Sequence, residues 1–285
     1  MPKASPVALR RPAERAGEDT IVSVERAFAI VEQLADLADG ASLADIARRL
    51  DVNKQIAVKL LSTLERLGLL WRDDRAQRYN LTFRISNLGL RQLQKSRLLD
   101  QCAAVLKTLA ERTGELVRLA IVEHDERITW VQAVTGTNWS LQINPNYSLD
   151  VQLNAHAIAK AWLSTLPFER ALKLMLRQGI KAMTPHSKIT IEAIRDDLEQ
   201  AARVGFAASY EESELGVSAI AAPVMVTALS GTRECVGAVS LAAPMYRMGR
   251  DAFEASAPAL IEAVSRLGKI WPLEAHTLRP VQVHR

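Results

Sequence analysis

The sequence predicts an α+β protein of two domains, a small helical one closed by a hairpin and a larger one built on a largely antiparallel sheet. Three observations carry this. The chain has 285 residues, nearly half of them apolar, which is too long for one typical domain and enough for two cores. Its first part strings short amphipathic helical patterns together and ends in a segment that is strand-like at both ends and polar in the middle. Its second part sets β-branched and small apolar runs on either side of a helical middle, the order expected of an α+β sheet domain.

Residues 1–20, MPKASPVALRRPAERAGEDT, contain no apolar run and read as a flexible arm rather than a secretory leader. Over 21–38, Val24, Ala27, Phe28, Val31 and Leu34 recur at three-and-four spacing, predicting a helix capped by Ser23 and ended by Gly40. Ser42 caps the next helix, with Asp45 three residues on in the manner of a capping box. Its buried stripe is Leu43, Ile46, Ala47 and Leu50. The residues DVN turn the chain. Asn53 then caps a third helix with the apolar face Ala57, Leu60, Leu61, Leu64 and Leu67, closed by Gly68. LLWRDDRAQRYNLTF follows as a hairpin. Helix, helix, tight turn, helix, hairpin is the order of a winged helix-turn-helix, placed at 21–86.

Charge supports a nucleic-acid role for that domain. The whole chain carries a formal charge of +4, and an equal excess sits in 53–84, where Lys54, Lys59, Arg66, Arg72, Arg75, Arg78 and Arg84 face Glu65, Asp73 and Asp74. A solvated charged surface is the plainer alternative, and the helices in front of the hairpin decide against it. With Ala57, Leu60 and Leu61 turned inward, Lys54, Gln55, Val58, Lys59 and Ser62 lie on the opposite side, where a recognition helix meets base edges in the major groove of a double-stranded operator. Gln55 can pair with adenine, Lys54 or Lys59 can reach guanine or phosphate, and Val58 can touch a thymine methyl. Arg66, Arg72, Arg75 and Arg78 suit phosphates, which hold register without reading sequence.

Residues 88–112 are helical by pattern, with no Pro or Gly after Gly89. They are read as a linker helix (87–100) running into a domain at 101–272, with a tail at 273–285. Strands are expected at ELVRLAIVE, RITWVQAVT, TNWSLQINP, GFAASY, VSAIAAPVMV and ECVGAVSLAA. Helices are expected at NAHAIAKAWLSTL, 168–177, 189–204 and 251–268.

The two cysteines, Cys102 and Cys235, stand in no metal or redox spacing, which points to a reducing, cytoplasmic setting without a zinc or disulfide framework. The most apolar later run, VSAIAAPVMVTAL, is short and holds Pro223, so no membrane span is expected. A hydrolytic set could be imagined from His156, Ser240, Glu211 and Glu212. No GxSxG elbow, HExxH pair, phosphate loop or SxxK array with its partner motifs accompanies it, so the chain is read as no enzyme, with no cofactor and no metal. Glu211 and Glu212 are read as holding the neighbouring loop or a subunit contact. An architectural DNA binder without a ligand is the remaining alternative, and the long second domain argues against it.

Taken in order, SVERAFAIVEQLA, LADIARRLDVNKQIAVKLLSTLERLGLL, YNLTFRISNLG, NAHAIAKAWL and MTPHSKITIEAIRDDLEQAARVGFAASYEESELGVSAIAAPVM resemble the isocitrate lyase regulator (IclR) family of bacterial transcription factors over nearly all of 21–268. That resemblance implies a GAF-like effector-binding domain with a twisted sheet, homodimers formed through the N-terminal domains and often paired into tetramers, and an effector that is a small organic acid or aromatic catabolite. It implies a pocket between the sheet and the small-residue helix, containing Ala157 and Ile158, then Ser209, Leu215, Val217 and Ala219, then Ser240 and Ala242.

Departures from the family pattern shape the expected ligand. Ala159 replaces the familiar Gly before Lys160, Asn154 replaces a His, and the larger His156 replaces a small Thr or Ser. Ser209, Ala219 and Ala242 stand where small-acid sensors are often more polar. The pocket is therefore expected to be less polar, to have His156 as its cation, and to be bordered by Trp130, Trp139 and Trp162, which suits a larger, aromatic acid.

Overall fold

The computed structural model describes residues 20–123, 126–136, 139, 141–145, 150–227 and 231–271. The expected tail, and the arm up to residue 19, lie outside the described residues. The chain divides into two compact units between Gln92 and Leu93, within the segment expected to link them.

The N-terminal unit opens with α1 (Val22–Ala35), followed by β1 (Ala41–Ser42), α2 (Leu43–Arg49) and α3 (Lys54–Arg66). Two of the expected caps form. The Ser42 hydroxyl accepts from the Asp45 amide at 3.2 Å and donates to the Asp45 carboxylate at 2.7 Å, and Asn53 Oδ1 accepts from the Ile56 amide at 2.9 Å. Each satisfies an amide that the helix start leaves without a partner. Ser23 does not cap α1: the N-cap is Ile21, with no side-chain bond. Ile30, Val31 and Leu34 of α1 pack with Ile46, Leu50, Leu61 and Leu64 in one small core. Val24 and Phe28, expected in that stripe, are 50% and 63% exposed, and Leu67 at the end of α3 is exposed as well.

β2 (Leu70–Asp73) and β3 (Arg78–Leu81) form the hairpin. β1 adds a third strand through Ala41 and Ser42 opposite Tyr79 and Arg78, which no run of residues announces. Gly40 is required between α1 and β1. Its φ is +64°, and a Cβ there would stand 2.2 Å from the Tyr79 carbonyl oxygen.

One helix was expected at 88–112, and two form: α4 (Arg84–Ser96) and α5 (Leu98–Thr113). Arg97 breaks them with φ +49°, a left-handed conformation that a non-glycine residue adopts at a cost. No Pro or Gly marks the place. α5 buries Leu98, Cys102, Val105, Leu106 and Leu109, whereas α4 buries none of its described side chains.

The C-terminal unit is a five-stranded sheet in the order β5-β4-β8-β7-β6, antiparallel at every pairing. The strands are β4 (Leu116–Val122), β5 (Ile128–Val134), β6 (Ala207–Tyr210), β7 (Val217–Thr227) and β8 (Arg233–Pro244). The strand expected at TNWSLQINP is not there: Trp139 and the residues 141–145 lie in no strand, and Thr137, Asn138 and Ser140 lie outside the described residues. On one face, Val117, Leu119, Ile220, Val224, Val239 and Leu241 pack against α5 and α9 (Arg250–Ile270). On the other, Ala120, Ala207, Ala221 and Ala238 pack against α6 (Ala157–Leu163), α7 (Phe168–Gln178) and α8 (Ile191–Val204). The two-residue period of a strand sends alternate side chains to opposite faces, so the large residues of β7 and β8 serve one side and the small residues the other.

Candidate nucleic-acid interface and ligand pocket

In the N-terminal unit, Lys54, Gln55, Val58, Lys59, Ser62 and Arg66 of α3 are all exposed, while Ala57 and Leu61 across the helix are fully buried. This is the face that the periodicity assigned. The Ser62 and Thr63 hydroxyls both donate to the Lys59 carbonyl, at 3.1 and 2.8 Å. Their lone pairs stay open to an outside donor. In the wing, Arg75 is exposed at the tip, where its amide and that of Ala76 donate to Asp73 Oδ1. Arg72 lies over the Tyr79 ring at 5.7 Å and is hydrogen-bonded to Gln77. Arg78 is half-buried, and its Nε and Nη2 donate to the Asp39 and Gly40 carbonyls at 2.7 and 2.8 Å, satisfying the turn before β1.

In the C-terminal unit a pocket opens where α6 crosses the small-residue face of the sheet. Its floor is Arg118 on β4, Ser240 on β8 and Ala219 on β7, and its walls are Trp130, His156, Ala157 and Ile158. Ser209, Ser213, Val217 and Ser218 complete the lining. The enclosed space is about 20 Å³, room for roughly one water molecule and small for a ligand site.

Arg118 and Ser240 are register partners on neighbouring strands. The Arg118 guanidinium carbon sits 4.1 Å from the Trp130 ring centroid, a cation–π stack that holds the charge over the sheet. Ser240 is 1% exposed, and its hydroxyl has no hydrogen-bond partner. Ser209, by contrast, donates to the Ala155 carbonyl at 2.7 Å, and Ser218 to the Met245 sulfur at 3.0 Å.

His156 is not the cation expected of it. Burial pushes its imidazole down to about 4, and the nearby Arg118 and Lys160 charges act in the same direction, against the bond to Gln152. Nδ1 lies 3.0 Å from the Gln152 amide nitrogen and 3.3 Å from the Gln152 carbonyl oxygen. Arg118 is the only charged group lining the pocket among the described residues.

Behind the pocket lies a buried ionic cluster. Lys160, 3% exposed, sets Nζ 2.7 Å from both Glu212 carboxylate oxygens and 2.6 Å from Asp197 Oδ2 on α8. The contact to Glu212 is a directed hydrogen bond, whereas that to Asp197 Oδ2 is an ion pair by distance alone. Burial raises the Glu212 carboxyl above its ordinary range, and Lys160 pulls against that. Lys188 pairs with Asp197 as well. Asn154 Nδ2 donates to the Lys181 and Lys188 carbonyls, and the Thr184 and Ser187 hydroxyls donate to those of Glu211 and Glu212. Glu211 Oε1 accepts from the Gly216 amide at 2.7 Å. Glu211 thus fastens the loop that follows it, and Glu212 ties that loop to α6 through Lys160.

The structure brings together His156, Ala157, Ile158, Ser209, Val217, Ala219 and Ser240 from the expected set. Three others fall outside the lining. Leu215 is 60% exposed, Ala242 is fully buried beside Ala219, and Trp139 lies on the surface against Arg247. Trp130 borders the pocket, while Trp162 is buried in the core that α6 shares with α7 and α8. Sequence reasoning missed Arg118, Ser213 and Ser218. For Arg118 a signal existed: it is a lone cation inside the apolar strand ELVRLAIVE. The two cysteines are poor nucleophiles, since burial pushes the Cys102 thiol up to about 11 and the Cys235 thiol to about 12.

Comparison with known proteins agrees with this arrangement. Residues 23–74 match the IclR helix-turn-helix domain, and residues 90–269 match the bacterial transcriptional regulator IclR C-terminal domain. The chain is 30% identical over 265 residues to the HTH-type transcriptional regulator BhcR of Paracoccus denitrificans, covering 90% of this chain and 92% of that one. It is 22% identical over 264 residues to the HTH-type transcriptional repressor AllR of Escherichia coli, covering 93% and 95%. The fold is shared with an IclR transcriptional regulator from Alicyclobacillus acidocaldarius, at a TM-score of 0.75 and 24% identity over 88% of this chain and 98% of that one. It is also shared with an IclR homologue from Microbacterium hydrocarbonoxydans, solved in complex with 4-hydroxybenzoate, at a TM-score of 0.70 and 20% identity over 89% and 99%.

Proposed function

The chain belongs to the IclR family of bacterial transcriptional regulators, and on that premise we propose that it controls a catabolic operon by binding operator DNA in response to a small organic acid. One observation carries the reading. The same chain has an exposed Lys54, Gln55 and Lys59 face on a doubly capped helical scaffold and, in a separate unit, a pocket centred on Arg118. Gln55, Val58, Lys59 and Ser62 read bases, and Arg66, Arg72 and Arg75 hold phosphates. The effector is an aromatic acid, supported by the Trp130 wall and by the homologue crystallised with 4-hydroxybenzoate.

The active species is a homodimer, with tetramers built from it. Support comes from Ile21, Val24 and Phe28 of the N-terminal unit, which leave an apolar face in water that a second copy would cover. The effector acts by linkage: an acid that binds one arrangement of the assembly better than another shifts operator affinity by that difference. No helix among the described residues is long and apolar enough to cross a membrane, which supports a cytoplasmic regulator.

Gel shifts on the DNA upstream of the protein's own gene, over a salt series and with and without organic acids, test the proposal. Affinity should fall with salt, and Lys59→Ala should flatten the log–log slope by about one unit. Absence of salt-sensitive binding to any upstream fragment would remove the DNA-binding reading.

A further inference from the structure

The hairpin of the N-terminal unit is fastened at both ends of β3, and the two fastenings reach opposite ends of the α2–turn–α3 motif. Just past the last turn of α3, the Gly68 carbonyl accepts from the Thr82 hydroxyl at 2.6 Å and the Leu69 carbonyl from the Thr82 amide at 3.0 Å. At the start of β3, Arg78 Nε and Nη2 donate to the Asp39 and Gly40 carbonyls, the last two before β1 and α2. Between these points β1 offers β3 only Ala41 and Ser42 to pair with. Ser42 is both the register partner of Arg78 and the residue that caps α2.

We propose that Arg78 is the positioning residue of the wing: its guanidinium fixes the hairpin to the start of the α2–α3 motif and so sets where Arg72 and Arg75 meet the DNA backbone, rather than gripping a phosphate itself. The proposal rests on the regulator reading above and deepens it by naming the side chain that holds the wing against the recognition helix.

A ladder as short as β1 is a weak joint, because few-residue strand pairs are marginal in water. Hydrogen bonds from a charged donor are stronger than neutral ones, so the two from Arg78 supply a large part of that joint. The turn that receives them is itself held. Gly40 takes φ +64° and packs so closely on β3 that a Cβ there would lie 2.2 Å from the Tyr79 carbonyl oxygen. The Nε–Nη2 edge of a guanidinium is one that can hold a phosphate through two parallel bonds, and in Arg78 it is turned to the backbone of a half-buried turn. Arg75, at the tip of the same hairpin, is exposed.

Hydrogen exchange on the free full-length protein, and gel shifts on its own upstream DNA over a salt series, test the role. Arg78→Met keeps an unbranched stem and removes the fork. It should speed exchange of the amides within residues 39–45 and 70–81 by about 10-fold. It should weaken DNA binding by about 5- to 30-fold while changing the log–log salt slope by less than about half a unit. Arg75→Ala is the reference for a phosphate contact: its slope should fall by about one unit, with exchange in 39–45 as in wild type. Arg78→Lys retains the charge without the planar fork and should stay at least about 3-fold weaker than wild type. Thermal melts and circular dichroism show that each variant is folded. Should Arg78→Met fail to fold, Arg78→Lys carries the same two measurements.

Exchange at wild-type rates in the Arg78 variants, a salt slope lowered by about one unit in Arg78→Met, or full recovery of affinity in Arg78→Lys would each overturn the proposal. So would faster exchange with unchanged DNA affinity, the mark of a residue that serves stability alone. The outcomes separate the two claims. If wild type binds upstream DNA and Arg78→Met binds it equally well, the regulator reading stands and the positioning role falls. If wild type binds no upstream fragment, the regulator reading falls and the role in DNA contact falls with it, while the exchange rates decide whether Arg78 holds the wing.

Discussion

The two faces of the five-stranded sheet come from the same strands and do different work. Toward α5 and α9 they present Val117, Leu119, Ile220, Val239 and Leu241, which close against Phe253 and Leu260. Toward α6 they present Ala120, Ala221 and Ala238, with Ser240 and Arg118 at the pocket. Large side chains fill the first gap to crystal-like density. Small ones bring α6 close on the second face and leave a narrow pocket beside it. The filled core and the proposed ligand face are therefore divided by the pleat of the strand rather than by segments of the chain.

Removing the ionic cluster should have the largest effect on the recognition face. Lys160→Ala would leave the buried Glu212 and the half-buried Asp197 with only the more exposed Lys188 as counter-charge, destabilising the C-terminal unit by about 3 kcal/mol. Urea unfolding measures it, and a loss under about 1 kcal/mol would show that the cluster does not hold α6 to its loop. On the closed face, Leu241→Ala removes a fully buried side chain and should cost about 2–5 kcal/mol, with benzoate affinity unchanged in the folded protein. A change in affinity there would mean that the two faces are coupled.

Ala221→Val adds bulk under α6 and should cost about 1–3 kcal/mol, but here ligand affinity should fall with it. Titration beside thermal melts distinguishes this outcome from that of Leu241→Ala.

His156 gives the smallest effect at neutral pH. Its folded value of about 4 lies below the ordinary 6.5, so between those values the unfolded chain binds a proton that the folded one does not. Wild-type stability should thus decline as pH falls through 6.5 toward 4, by about 3 kcal/mol at most. His156→Gln should remove that contribution, and unfolding curves at pH 7 and pH 5 would reveal it. An equal pH slope in the two proteins would place the protonation elsewhere.

How much of this was legible varies residue by residue. Asn53, Ala57, Leu61 and Leu64 define α3 by cap and period, which are local signals, and the exposed Lys54, Gln55 and Lys59 follow from them. Val24 and Phe28 fit the same period yet stay exposed, because periodicity marks an apolar stripe without saying what covers it. The break at Arg97 left no trace, since an arginine carries no intrinsic preference for φ +49°.

In the pocket, His156 was legible by position but not by charge. Its protonation is set by burial and by Arg118, 38 residues distant in the chain, and neither can be read from its neighbours in sequence.

The sequence by itself determined the caps of α2 and α3, most of the helices and strands, the exposed basic face of α3 and the family, because these rest on local periodicity, side-chain chemistry and the spacing of motifs. The tertiary structure alone decided that Arg118 meets Ser240 across two strands, that Arg78 serves a turn, and that Lys160 is neutralised by acids from α8 and the acidic-pair loop. Those pairings depend on strand register and burial, and both arise when distant segments pack together.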